Sequence, residues 1–268
     1  MKLLHNYIAV ALLLAFTGCT EKIDLDLDSI PPAMVIEGRI SNGTILNYVR
    51  ISESSPYLSD ADNQPVLGAT VTLTEDGTTT ETLTEDPQLP GYYYCPLLWA
   101  GKLNSVYTLT VTYGGETYVA FDTIRPVTAL DSLSYAYDDK AGTDNDGYYV
   151  SLYAQEPAGF GNYYQWSYFS NGAEKAGLEW NASDEFVDDN YINFQFEFDD
   201  QQELGDTVAV EMSSISLQYF KFINQLLNQE SSGNLFDTPP ANVVGNFTNG
   251  AFGYFHADGV AADTIILR

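Results

Sequence analysis

Apolar and polar residues alternate with a period of two through much of this chain, and in its first half they do so in short runs parted by turn residues. These runs cover 34–40, 45–53, 69–75, 79–85, 91–95, 106–113 and 116–123. Over 106–113, Tyr107, Leu109, Val111 and Tyr113 point one way while Thr108, Thr110 and Thr112 point the other, as in a strand with one face on a core and one in water. Asp76-Gly77 and Gly114-Gly115 tolerate left-handed backbone, so each predicts a tight hairpin. Seven such runs predict a β-sandwich domain over 33–125.

Arg125-Pro126 interrupts the pattern, and longer, more aromatic runs follow at 130–137, 148–154, 162–170, 191–198 and 207–212. In the fourth of these, Ile192, Phe194, Phe196 and Phe198 share a face. Only at about 214–229 does the period change, with Ile215, Tyr219, Phe222, Ile223 and Leu226 at helical spacing. Ser213 or Ser214 is placed to cap this helix, Gly233 to end it, and its apolar stripe to pack on its own sheet. The expectation is a mainly β chain with a second β-rich domain, 126–268, carrying one α-helix.

The start of the chain is different. Lys2, a ten-residue apolar run over 7–16 and then Phe16-Thr17-Gly18-Cys19 make a signal peptide over 1–18. The run is too short to span a bilayer, which takes about 20 apolar residues. Cys19 after the small Gly18 resembles the bacterial lipobox, whose thiol and new amino terminus are acylated; Cys19 is therefore the expected lipid attachment site. An acidic stalk over 19–32 follows, with Ile23, Leu25 and Leu27 alternating with Asp24, Asp26 and Asp28 up to Pro31-Pro32. Thr20-Glu21-Lys22-Ile23-Asp24 partly matches the acidic signal for surface export, and both the periplasmic and the outer face stay open.

Composition narrows the function. Hydrophobic residues make up 45% of the chain, with 20 Tyr and 14 Phe, enough to build packed cores. There are 37 acidic residues, against the 9 basic ones that remain once Lys2 leaves with the signal. Such a surface repels polyphosphate, which excludes nucleic acid, and it repels an anionic bilayer too. Attachment must come from acyl chains, at about 0.8 kcal/mol per buried CH₂. With Cys19 acylated, Cys95 is the only thiol, so no internal disulfide or thiolate zinc cluster can form. After Tyr92-Tyr93-Tyr94, Cys95 reads as buried filler.

Candidate chemistry is sparse. His256 is the only histidine after cleavage, no Gly-x-Ser-x-Gly elbow accompanies it, and a structural or surface role is expected. Glu179, Asp184, Glu185, Asp188 and Asp189 could supply paired carboxylates, but read more simply as a solvated acidic loop. Asp144-Asn145-Asp146-Gly147 lacks the acid and the glutamate an EF-hand needs at Gly142 and Tyr153; it reads as a turn, with a looser calcium site including Asp138 and Asp139 left open. Gly245, Gly250 and Gly253 are not spaced for a dinucleotide and predict turns. Tyr163, Tyr164, Trp166 and Trp180 could stack on sugars or fill an interface, but core packing is the simpler reading for at least some of them. Asp28-Ser29-Ile30, Asp122-Thr123-Ile124, Asp131-Ser132-Leu133, Asp206-Thr207-Val208 and Asp263-Thr264-Ile265 resemble bacterial O-glycosylation acceptors.

Pro32 followed by Val35-Ile36-Glu37-Gly38, then Gly68-Ala69-Thr70-Val71 with Gly91-Tyr92-Tyr93, are similar to segments of the domain of unknown function 4249 family of Bacteroidota-type lipoproteins. The order that follows the helix is more distinctive: Gly233-Asn234-Leu235-Phe236, Pro239-Pro240, Gly245-Asn246, Asn249-Gly250 and Gly253-Tyr254-Phe255. The first half also resembles the immunoglobulin-like or transthyretin-like modules of outer-membrane transporters. This resemblance implies an outer-membrane lipoprotein beside a TonB-dependent transporter, with no defined chemistry and hence no catalytic residue or cofactor. The functional expectation is a non-enzymatic accessory protein; the alternatives are a glycan-binding or glycan-degrading surface lipoprotein and an adhesin or pilus-like subunit.

Overall fold

Two-residue turns with left-handed backbone set the first hairpins: Asp76 and Gly77 have φ of 47° and 67°, and Gly114 and Gly115 of 60° and 87°. The computed structural model describes residues 32–44, 47–55, 62–139, 146–175, 180–197, 201–230 and 243–268. Cys19, the signal, nearly all of the stalk and Gly233 lie outside these residues. In chain order the strands are β1 (Met34–Ser41), β2 (Tyr48–Glu53), β3 (Gln64–Pro65), β4 (Thr70–Glu75), β5 (Thr79–Thr82), β6 (Thr84–Glu85), β7 (Tyr92–Tyr94), β8 (Val106–Tyr113), β9 (Glu116–Thr123), β10 (Leu130–Asp138), β11 (Gly147–Gln155), β12 (Tyr163–Ser170), β13 (Ala173–Lys175), β14 (Asn181–Ser183), β15 (Tyr191–Gln195), β16 (Thr207–Ser214) and β17 (Phe252–Ile266). The helix, α1, is Leu217–Glu230.

The chain is mainly β, with strands in three sheets. A four-stranded sheet runs β5-β4-β8-β9, a three-stranded one runs β10-β11-β15, and the largest follows the order β13-β12-β16-β17-β1-β2-β7-β6. Ile36, Val49, Ile51 and Tyr93 of the large sheet pack on Val71, Leu73, Leu109 and Val111 of the four-stranded sheet, forming one sandwich core. A second core joins Val150, Leu152 and Ile192 of the three-stranded sheet to Trp166, Tyr168, Val208, Val210 and Met212. Each such apolar side chain contributes about 1.5–3 kcal/mol on burial. The large sheet draws strands from both sides of Arg125-Pro126, and the first core takes in Ala251, Phe255 and Ala257 from beyond it.

Three local readings need correction. The run 79–85 breaks at Leu83, whose amide bonds Val71 O at 2.9 Å and whose side chain enters the first core, so the chain crosses from one sheet to the other there. The helix starts at Leu217, and its cap is Ser216, whose Oγ accepts the Tyr219 amide at 3.2 Å. Ser213 and Ser214 belong to β16. The third concerns the glycine-rich closing segment: Gly253, expected in a turn, lies in a strand of 15 residues.

That strand, β17, joins the two halves. Residues 252–258 run parallel to β1, and 259–266 run antiparallel to β16. Side chains cover the exposed backbone of the first stretch: Asn246 Oδ1 accepts Phe255 N at 2.9 Å, Asn246 Nδ2 donates to Phe255 O at 2.7 Å, and Asp122 Oδ2 accepts Ala257 N at 3.3 Å. At the handover sits Gly259, where a Cβ would collide with the Arg125 carbonyl.

Gly253, at φ 91°, pairs with Ile36, and a Cβ there would overlap the Ile36 carbonyl oxygen; Gly77 has a similar φ but open space around it. Gly253→Ala is therefore expected to cost about 3 kcal/mol or more in chemical denaturation, against about 1 kcal/mol for Gly77→Ala. Equal losses would mean that the close approach of β1 and β17 contributes nothing.

Candidate functional site

Alternation along β17 sends Phe255 and Ala257 into the first core and Tyr254, His256 and Asp258 to the opposite face. Helix α1 follows β16 directly and lies on that opposite face, where Ile215, Tyr219 and Ile223 pack against Tyr254. Ser216 fixes the angle of entry, since its Oγ also donates to the buried Asp122 at 3.1 Å. Between the helix and strands β1, β2 and β17 there remains a groove of about 680 Å³. Phe222, Leu226, Val35 and Phe252 supply apolar walls, while Arg39, Tyr48, Tyr219, Tyr254 and His256 bring the polar groups. Its size and lining are those of a small-ligand pocket.

Beneath the groove lies a closed ionic network. Arg39 bonds Glu211 through one terminal nitrogen and Asp258 Oδ2 through Nε at 3.3 Å. The other oxygen, Asp258 Oδ1, lies 2.9 Å from His256 Nδ1, which fixes the orientation of the ring. The imidazole stacks on Tyr219, with centroids 3.8 Å apart and planes inclined by 9°. Asp258 is 1% exposed and His256 8%.

Burial alone would lower the Arg39 guanidinium's pKa, but Asp258 and Glu211 outweigh it and the net shift is upward. Burial pushes the Tyr254 phenol up to about 12, with Asp122 adding to the shift. Burial also raises Tyr219, helped by Asp258, and it raises Tyr48 against the opposing effect of Arg39. The phenols therefore stay neutral.

The candidate chemical residues singled out from sequence do not converge on this groove, except for His256; the helix and the family-like segments 35–38 and 253–255 do contribute to its lining. His256 is held in place by Asp258 and Tyr219. Tyr164 and Trp166, candidates for stacking or for core packing, are 3% and 5% exposed and belong to the second core; Trp180 packs against that core, and Tyr163 against Phe220. Asp184 is likewise not solvated but 3% exposed, its Oδ2 accepting the amides of Gly161 and Asn162. Glu179, Asp144 and Asn145 lie outside the described residues. Asp146 accepts the Tyr137 hydroxyl at 2.8 Å, and among the described residues no three His, Cys, Asp or Glu side chains are grouped as metal ligands. Sequence reasoning missed Arg39, Glu211 and Asp258. The spacing His256-x-Asp258 carries their signal, because two residues apart on a strand share a face.

Cys95 is half-buried, and burial pushes its thiol up to about 12. In a Cys19→Ser chain at pH 8, Cys95 is expected to alkylate about a thousandfold more slowly than free cysteine, with the rate rising about tenfold per pH unit until the thiol titrates. Fast labelling at pH 8 would contradict this. Arg39→Met leaves Glu211 and Asp258 without their cation and is expected to cost about 3–5 kcal/mol in urea denaturation. Arg39→Lys, which keeps the charge but loses the fork, should cost less; equal costs would show that the charge itself is immaterial.

No curated protein matches the chain. The family described as Domain of unknown function (DUF4249) matches residues 20–263, which take in the helix and every strand described above except the last three residues of β17. The chain belongs to this family.

Proposed function

We propose that this is an envelope lipoprotein, tethered through acylated Cys19, that binds instead of transforming its ligand and serves as an accessory to a TonB-dependent outer-membrane transporter. One observation carries the binding reading: the ionisable groups under the groove are engaged with one another, Arg39 with Glu211 and Asp258 and His256 with Asp258, while aromatic and aliphatic side chains line the opening. This arrangement offers shape and apolar surface for recognition. The tether is supported by the resemblance of Gly18-Cys19 to a lipobox, and the transporter is what the family resemblance of the sequence implies. A glycan ligand is the second reading. It is favoured by the half-buried Tyr48 at the groove, the tyrosine there that is not counted among the buried core.

Purification of the tagged full-length chain from crosslinked cells is expected to enrich a TonB-dependent transporter above an unrelated lipoprotein. Cys19→Ala should release the chain from the membrane fraction. Leu226→Trp, which fills the groove from the helix, should leave attachment intact and cut capture of transporter or cargo at least about tenfold. Equal recovery of transporter with the control lipoprotein would remove the proposal, and glycan binding that Leu226→Trp abolishes would favour the second reading.

A further inference from the structure

Two loops, 156–162 and 184–190, are fastened to each other by carboxylates. Asp188 Oδ1 accepts the Gly159 amide at 2.6 Å, and Asp184 Oδ2 accepts those of Gly161 and Asn162 at 2.7 and 2.9 Å. Glu156 Oε1 takes the Asn162 side-chain amide at 2.9 Å, and the Glu156 amide donates to Asn190 O at 3.0 Å. Glu156 is 0% exposed. Burying two carboxylates is unfavourable unless their bonds are needed, and what these bonds fix is the display of two aromatic rings. Phe160, between the stapled Gly159 and Gly161, is 76% exposed; Phe186, between the stapled Asp184 and Asp188, is 88% exposed. Gly159 and Gly161 have φ of 118° and 115°, backbone that only glycine adopts readily, so the loop bends to place Phe160 outward. Tyr191, 53% exposed, follows the second loop directly.

We propose that this stapled tip is a protein-docking surface, with Phe160 and Phe186 as anchors, for a partner that presents basic side chains around an apolar pocket. Exposed rings carried on backbone that is fixed before binding are good anchors, because little backbone freedom is lost on contact. Charge selects the occupant. The two loops carry Glu156, Asp184, Glu185, Asp188 and Asp189 and no Lys or Arg. A second copy would meet its own acids, and an anionic bilayer would repel them; a basic rim would be attracted and oriented. The proposal deepens the accessory reading above by naming the contact surface, and rests on that reading only for the existence of a partner.

The test places a photoreactive benzoylphenylalanine at Phe160 or Phe186 of the full-length chain, in the cells that make it, with the 70% exposed Phe121 of β9 as control. Irradiation is expected to give the same discrete protein adduct from 160 and 186 and none from 121, through a peptide with an excess of Lys and Arg. Glu185→Lys with Asp189→Asn, chosen because asparagine tolerates the φ of 58° at 189, should lower the yield at least about tenfold at unchanged thermal midpoint, and Lys or Arg→Glu on the captured peptide should restore it. Adducts to lipid, adducts to a second copy, no adduct, or a protein adduct indifferent to the charge changes would each overturn the proposal. If general crosslinking still enriches a transporter while 160 and 186 give nothing, the docking tip fails and the accessory reading stands.

Discussion

The parallel pairing of β17 with β1 is the constraint on which the rest of the structure depends. Parallel neighbours need a long connection, and here nearly the whole described chain lies between them. The last strand must find the first, and then continue along β16, before the large sheet is complete. Neither core is independent of that event: Phe255 and Ala257 close the first, while Ile265 and Leu267 pack on the second. Pairing over such sequence distance implies slow folding, because chain entropy must be lost before the contacts compensate.

The same strand creates the groove. Its alternation separates a face buried in the sandwich from a face that carries His256 and Asp258, and Arg39 stands beside His256 because β1 and β17 are in that register. Glu211 reaches the network from β16. The network thus links the N-terminal strand, the C-terminal strand and a strand of the second half. Such buried charges contribute less to net stability than their Coulomb attraction would indicate, but they penalise any register that leaves one of them unpaired. The helix then needs only its Ser216 cap and its Tyr219 and Ile223 contacts to roof the site.

Where one face meets a core and the other water, the sequence was legible: β8 and β9 match the expected runs residue for residue, and the Asp76-Gly77 and Gly114-Gly115 turns follow from backbone chemistry. β17 was not legible. Glycine stands at 253 and 259 because neighbouring backbones approach there, and alanine, aspartate and histidine stand where the face turns toward an ionic network, so no alternation of large apolar and polar residues remains. Arg39 was hidden for a related reason, since its partners lie far away in sequence. The stripe on α1 read correctly as packing for Tyr219 and Ile223, while Phe222 and Leu226 also face the groove, a difference that depends on where the sheet ends. Trp166 and Tyr164 were ambiguous because an aromatic in a strand looks the same on either face until the strand's neighbours are known.

Native-state hydrogen exchange along 252–266 tests most directly whether the last strand ties both cores together. If it does, the amides of 252–258 and 259–266 exchange through one opening, whose free energy equals that of the slowest amides in β1 and β16 and of global unfolding. Two separate openings, one shared with the first core and one with the second, or a β17 that exchanges ahead of both, would contradict the account.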